Sequence, residues 1–155
     1  IVFSPKSLLR HPDVYSDVDQ LSSGKFEEVI DDTTVEPKAV KRVLLCAGKV
    51  YYDLVAYKQE NNCHDVAIVR LEQYYPIPEK QLTQLSKRYS KAKWVWVQEE
   101  PLNAGAWGFL KLRMDLFPIK CVARAASASP ATGNSKVHNH TQAGLIQRAF
   151  KQIKE

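Results

Sequence analysis

Four times in succession an apolar run of strand length gives way to a stretch with helical spacing. This alternation constrains the fold more than any other feature. The runs are "RVLLCAG" (42–48), "DVAIVRL" (65–71), "KWVWVQ" (93–98) and "IKCVAR" (119–124). Behind them stand "KVYYDLVAYKQENN" (49–62), "PEKQLTQLSKRYS" (78–90), "GAWGFLKLRMDLF" (105–117) and "NHTQAGLIQRAFKQI" (139–153). Strands apolar on both faces, separated by helices, predict an α/β domain whose mostly parallel sheet carries helices on both faces. The strands near 43–47, 66–71, 94–98 and 120–124 are expected to be mutually parallel. "KFEEVI" (25–30) reads as a short charged strand and belongs at a sheet edge. In the last helix Leu145, Ile146, Ala149, Phe150 and Ile153 form an apolar stripe, with Asn139 or Thr141 as the predicted N-cap.

Two prolines, Asp/Ser-rich text and Gly24 leave residues 1–24 without periodicity, so they read as an irregular N-terminal arm and 25–155 as the α/β domain. A chain of 155 residues, 45% hydrophobic, can bury one core. The longest apolar runs are strand-length, and neither a signal peptide nor a membrane span is expected. The first residue is Ile and the text around it resembles mid-protein sequence, which predicts a piece of a longer protein or a processed chain. Cys46, Cys63 and Cys121 form no CxxC pair, so zinc and redox motifs lack support, and a reducing, cytoplasmic location is expected. Residues 1–40 hold four basic and eight acidic residues, the remainder 18 basic and 9 acidic. The cations of that basic remainder are scattered singly, which argues for a solvated surface with one anion pocket rather than for nucleic-acid binding.

In an open parallel sheet, ligands collect beyond the carboxyl ends of the strands, where helix N-termini also point. The residues expected there are Gly48 and Lys49, then Glu72 and Gln73, then Gln98, Glu99 and Glu100, and finally Ser127, Ser129, Thr132, Lys136 and His138. Gly48 with Lys49 is not a phosphate loop, and Gly48 reads as a strand-to-helix turn. Glu99 and Glu100 point opposite ways on an extended chain, so a cap or an ion pair fits them better than an acid/base pair. His138 has no Ser or Cys nucleophile fixed beside it, and His11, His64 and His140 offer no metal spacing. Catalytic, cofactor-binding and metal-ligating residues are therefore all expected to be absent. The stretch "ASASPATGNSKVH" (126–138) lacks periodicity, yet Pro130 and Gly133 suit a shaped turn, so it is expected to be an ordered loop at the carboxyl edge or at a domain interface.

Five strings carry a family resemblance. "SPKSLLRHP" (4–12), "KRVLLCAGKVYYDL" (41–54), "DVAIVRLEQ" (65–73), "WVQEEPLNAGAW" (96–107) and "ASASPATG" followed by "KVH" occur in this order. Together they resemble the C-terminal domain of the decarboxylating, thiamine-diphosphate-dependent component of the 2-oxoglutarate dehydrogenase complex. The resemblance covers nearly the whole chain and implies a fold similar to the transketolase C-terminal domain. It implies a parent enzyme that decarboxylates 2-oxoglutarate oxidatively and transfers the succinyl group to lipoyl. Thiamine diphosphate, magnesium and the catalytic residues would belong to preceding domains, leaving this region a structural and regulatory role without catalysis of its own. The implied partners are those domains, a second copy in a homodimer, the lipoyl-bearing succinyltransferase component, and a nucleotide effector.

Some relatives bind acetyl-CoA in this region, and Lys25 of "SGKF" and Gln73 of "LEQ" match the positions concerned. The basic run after the family's Pro-x-Pro is "PIPEKQ" here, where Lys80 keeps one charge and Glu79 opposes it. Loss of an Arg pair removes the bidentate contacts that a CoA phosphate would use. Effector identity stays open between AMP, acetyl-CoA and none. The contact residues carried forward are Lys25, Gln73 and Lys80 for an effector, and Lys49, Gln98, Glu99, Ser129, Thr132 and His138 for an anion or an interface. Two other classes of function compete with this reading. A stand-alone nucleotide- or CoA-binding module would call for a self-contained N-terminus, and a small hydrolase for a nucleophile beside a base.

Overall fold

The structure, a computed structural model, describes residue 1 and residues 5–151. Its strands are β1 (Val29–Ile30), β2 (Arg42–Cys46), β3 (Val66–Leu71), β4 (Lys93–Pro101) and β5 (Ile119–Arg124). Its helices are α1 (Val18–Ser23), α2 (Val50–Glu60), α3 (Glu79–Arg88), α4 (Trp107–Arg113) and α5 (Ser135–Phe150). The sheet runs β1-β3-β2-β4-β5. β2 pairs in parallel with β3 and β4, and β4 with β5, while β1 closes one edge antiparallel to β3. The mostly parallel α/β fold is the one the alternation predicts.

Side-chain parity sorts the core into two layers, because successive residues of a strand face opposite sides. Val43, Leu45, Ala67, Val69, Trp94 and Trp96 face α3 and α4, packing with Leu82, Tyr89, Leu110 and Met114. Leu44, Cys46, Ile68, Val95, Val97 and Val122 face α2 and α5, packing with Val50, Leu54, Leu145, Ile146 and Ala149. Every residue of β2 is buried, as a central strand covered on both sides requires. The chain leaves β2 through α2 to β3 on one side, then returns through α3 to β4 on the other. Strand order therefore reverses between the carboxyl ends of β2 and β4, which is where such sheets open a crevice.

Four expectations need correction. The edge strand is Val29–Ile30 rather than 25–30, since Glu27 and Glu28 offer no apolar side chain to either layer. Its pairing is extended only by the Glu28 carbonyl, which accepts from the amides of Glu72 and Gln73. The arm is not wholly irregular, for a 3₁₀ turn (Lys6–Leu8) and α1 lie in it, but neither element buries a residue. α4 is shorter than 105–117, because Gly105 has a positive φ of 66° and the chain after Arg113 turns extended. α5 starts at Ser135, with Asn134 and not Asn139 or Thr141 as its N-cap. The Asn134 side-chain oxygen accepts from the amides of Lys136 (2.9 Å) and Val137 (3.3 Å), satisfying donors that a helix start leaves open. Ile153, expected in the apolar stripe, lies outside the described residues.

Buried polar groups tie the layers together. The Asp32 carboxylate, in a residue 9% exposed, accepts from Lys58 Nζ (2.6 Å), Thr34 Oγ1 (2.6 Å), Thr34 N (2.9 Å) and Ile68 N (3.0 Å). Burial alone would raise its pKa, but the bonds from Lys58, Thr34 and Ile68 outweigh it and hold the carboxyl below its ordinary value. Next to it Asp31 accepts from the Tyr89 hydroxyl (2.8 Å) and pairs with Arg88 (3.4 Å). At the amino end of β2 Arg42 is buried and donates to the Ala149 (2.9 Å) and Lys151 carbonyls, completing the C-terminus of α5.

Candidate functional site

The crevice at the strand-order reversal is filled by the protein's own side chains. Gly48, at a φ of 68°, makes the turn out of β2 and so starts α2 directly over the carboxyl ends. Lys49 then reaches Glu99 at the end of β4 (3.2 Å) and Asp53 one helical turn on (3.6 Å). Gln142, projecting from the core face of α5, donates its amide to Asp53 (2.8 Å) and more weakly to Glu99 (3.4 Å). Gln142 is 8% exposed, and its side-chain oxygen has no partner. Glu100, on the opposite side of the extended β4 chain, is exposed.

Gln98 does different work. Its carbonyl oxygen accepts from Trp96 Nε1 (2.9 Å) and the Trp107 amide (3.0 Å), and its amide donates to the carbonyls of Pro101 (3.0 Å) and Ala104 (2.7 Å). It is buried and fully paired, and it moulds the turn that leads into α4. Gly105 closes over it: a Cβ there would stand 3.0 Å from the Gln98 amide nitrogen.

Beyond β5 the loop 126–134 is tied down at the carboxyl edge by hydrogen bonds. Asn103 exchanges two bonds with the Ser127 backbone (2.9 and 3.1 Å), and Ser129 bonds to Ser127 Oγ (3.1 Å) and to the Ala131 carbonyl (2.7 Å). Between this loop and α5 lies a cleft of about 690 Å³, the size of a small-molecule site. Ser129, Thr132, Asn134 and His140 line it with two arginines, Arg124 and Arg148.

The structure thus brings Lys49 and Glu99 together in one cluster, and Ser129 and Thr132 together in another place. Gln98 lies on the opposite face of β4 from Glu99, as a structural knot with Trp96 and Trp107. His138 is half-buried on α5 and does not line the cleft. Lys25, Gln73 and Lys80 lie on the β1–β3 side with no hydrogen bond between any two of them. Gln73 instead donates to the Pro76 carbonyl (2.8 Å). Residues 138–140 are helical, and two positions turn a helix by about 200°, so His138 and His140 diverge. Sequence reasoning missed Asp53, Gln142, Arg124 and Arg148. The i,i+4 spacing marks Asp53 and a polar residue in an apolar stripe marks Gln142, whereas the two arginines carry no local signal. Among the described residues no group of three or more His, Cys, Asp or Glu could hold a metal ion.

Comparison with known proteins decides the family. The model of the family described as 2-oxoglutarate dehydrogenase C-terminal matches residues 15–150. The chain belongs to that family. The 2-oxoglutarate dehydrogenase E1 component of Haemophilus influenzae is 44% identical over 97% of this chain. That of Cupriavidus necator is 42% identical over 99%, and the oxoglutarate dehydrogenase of Buchnera aphidicola 42% identical over 97%. In each case the chain spans 17% of the relative's length. As a 2-oxoglutarate dehydrogenase C-terminal domain, the chain matches the resemblance carried by its five strings.

Proposed function

We propose that this domain is a structural and regulatory part of a thiamine-dependent 2-oxoglutarate dehydrogenase, and that the decarboxylation takes place on other parts of the parent. The observation that carries this reading is the family match across 15–150 combined with a span of only 17% of each relative. The residues at hand do not suit thiamine diphosphate and magnesium. The strand-reversal crevice is occupied by Lys49, Asp53, Glu99 and Gln142, and the described residues offer no metal-ligand cluster. We therefore place the cofactor, the metal and the acid/base groups in preceding domains, for which 1–24 forms the junction and 25–155 the domain proper. The parent would act as a homodimer in the cytoplasm and deliver a succinyl group to the lipoyl arm of a succinyltransferase. Among the described residues no helix is long and apolar enough to cross a membrane.

Regulation through Lys25, Gln73 and Lys80 by a nucleotide or CoA effector belongs to the same reading, and Gln73 would have to release the Pro76 carbonyl to take part. Two assays test the proposal. The chain alone, supplied with 2-oxoglutarate, thiamine diphosphate and magnesium, should release no carbon dioxide above a protein-free control. A Haemophilus influenzae enzyme whose corresponding segment is replaced by this chain should keep its activity. Release by the chain alone, or a folded but inactive chimera, would count against the proposal.

A further inference from the structure

The cleft between loop 126–134 and α5 has an unbalanced wall. Arg124 and Arg148 both line it, and no Asp or Glu does. Neither guanidinium has a carboxylate partner among the described residues. Arg124 donates through Nε to the Glu99 carbonyl, and Arg148 through Nη2 to the Ala123 carbonyl (2.9 Å). Those bonds hold the two side chains in the wall of the cleft, and their other N–H groups have no acceptor among the described residues. The Thr132 hydroxyl, in the same wall, is screened from solvent and has no partner either. Ala125, Ala131 and Val137 supply apolar surface beside these donors.

Several other cations pair with carboxylates: Lys58 with Asp32, Lys49 with Glu99 and Asp53, Arg70 with Glu72 and Arg88 with Asp31. What sets this cleft apart is that two guanidiniums face one concave wall with no acidic residue in it, a place that suits an external anion. A phosphate monoester, with a charge near −2 at neutral pH and three acceptor oxygens, matches two arginine forks and a hydroxyl donor. We infer that this cleft binds a small phosphate ester, its phosphate held by Arg124, Arg148 and Thr132 and its apolar body lying against Ala125, Ala131 and Val137. The inference is independent of the parent reaction and of the effector residues on the opposite side of the sheet.

Phenyl phosphate, titrated into the ¹⁵N-labelled chain, tests it. The amides of Thr132, Gly133, Asn134 and Gly144 should shift together with one saturating curve. Benzoate, which keeps the ring but carries a single charge, should bind at least about tenfold more weakly, and so should inorganic phosphate, which lacks the body. R124Q and R148Q should each weaken phenyl phosphate about tenfold, with R148K intermediate because it keeps the charge and loses the fork. Arg124 also braces β4, so a misfolded R124Q leaves the decision to R148Q and to T132V. Shifts spread over surface lysines, unchanged affinity in R148Q, or benzoate binding as tightly as phenyl phosphate would each overturn the assignment.

Discussion

The polar cluster around Asp32 and the polar groups around loop 126–134 are built on opposite terms. Asp32 is buried, receives four hydrogen bonds and carries its own counter-ion in Lys58. At the loop, Thr132 Oγ1 has no partner and two guanidiniums lack carboxylates, while Gln142 Oε1 is unpaired in the neighbouring crevice. Unpaired buried polar groups cost stability, and natural folds keep few of them. The contrast teaches that the saturated cluster serves the fold and that the unsaturated edge is kept for a ligand.

Substitution can break this comparison, and the largest effect is expected at Asp32. D32A strands the Lys58 ammonium and the Ile68 amide in a buried site, and should lower unfolding free energy in urea by about 3–5 kcal/mol. Stability should follow the Asp32 carboxyl in its pH dependence as well. Its folded pKa lies below the ordinary value, so its contribution is complete above the unfolded pKa of about 3.9 and is lost as pH falls through the folded value. Urea midpoints should therefore drop more steeply below pH 4 in the wild type than in D32N. Parallel curves would show that Asp32 is not the group responsible.

Gln98 comes next. Q98L leaves Trp96 Nε1 and the Trp107 amide without acceptors, and should cost about 2–4 kcal/mol by the same measurement. G105A forces a residue with a Cβ to a φ of 66° and into the Gln98 amide, at about 1–2 kcal/mol. On the other side of the comparison the effects should be small. Q142L removes an orphaned oxygen along with two bonds to half-exposed carboxylates, and should change stability by less than about 1 kcal/mol. R148Q, at an exposed side chain bonded to one carbonyl, should cost less than about 0.5 kcal/mol.

The layers of the fold were legible in the residues because β2, β3 and β4 are continuous apolar runs with turns at Gly48, 61–65 and 101–106. α5 was legible only from its core stripe onward. Its first turns, Ser135 to Asn139, are largely exposed and polar, so nothing periodic announces them, and the cap at Asn134 resembles the loop before it. The crevice cluster was half-legible: Lys49 and Glu99 sit at predictable strand ends, and only the tertiary fold brings Gln142 over them. The cleft was legible as a loop and not as a charged site. Arg124 ends a strand and Arg148 lies 24 positions later on a helix, and no local pattern links two residues that meet only across a three-layer fold.

The most direct test of the division between fold and ligand edge is to measure urea stability and phenyl phosphate affinity on the same two variants, D32N and R148Q. The account predicts that D32N loses stability by several-fold more than R148Q yet binds phenyl phosphate like the wild type while folded. R148Q should keep wild-type stability and bind about tenfold more weakly. The reverse assignment, with R148Q unstable at full affinity or D32N stable and unable to bind, would contradict it.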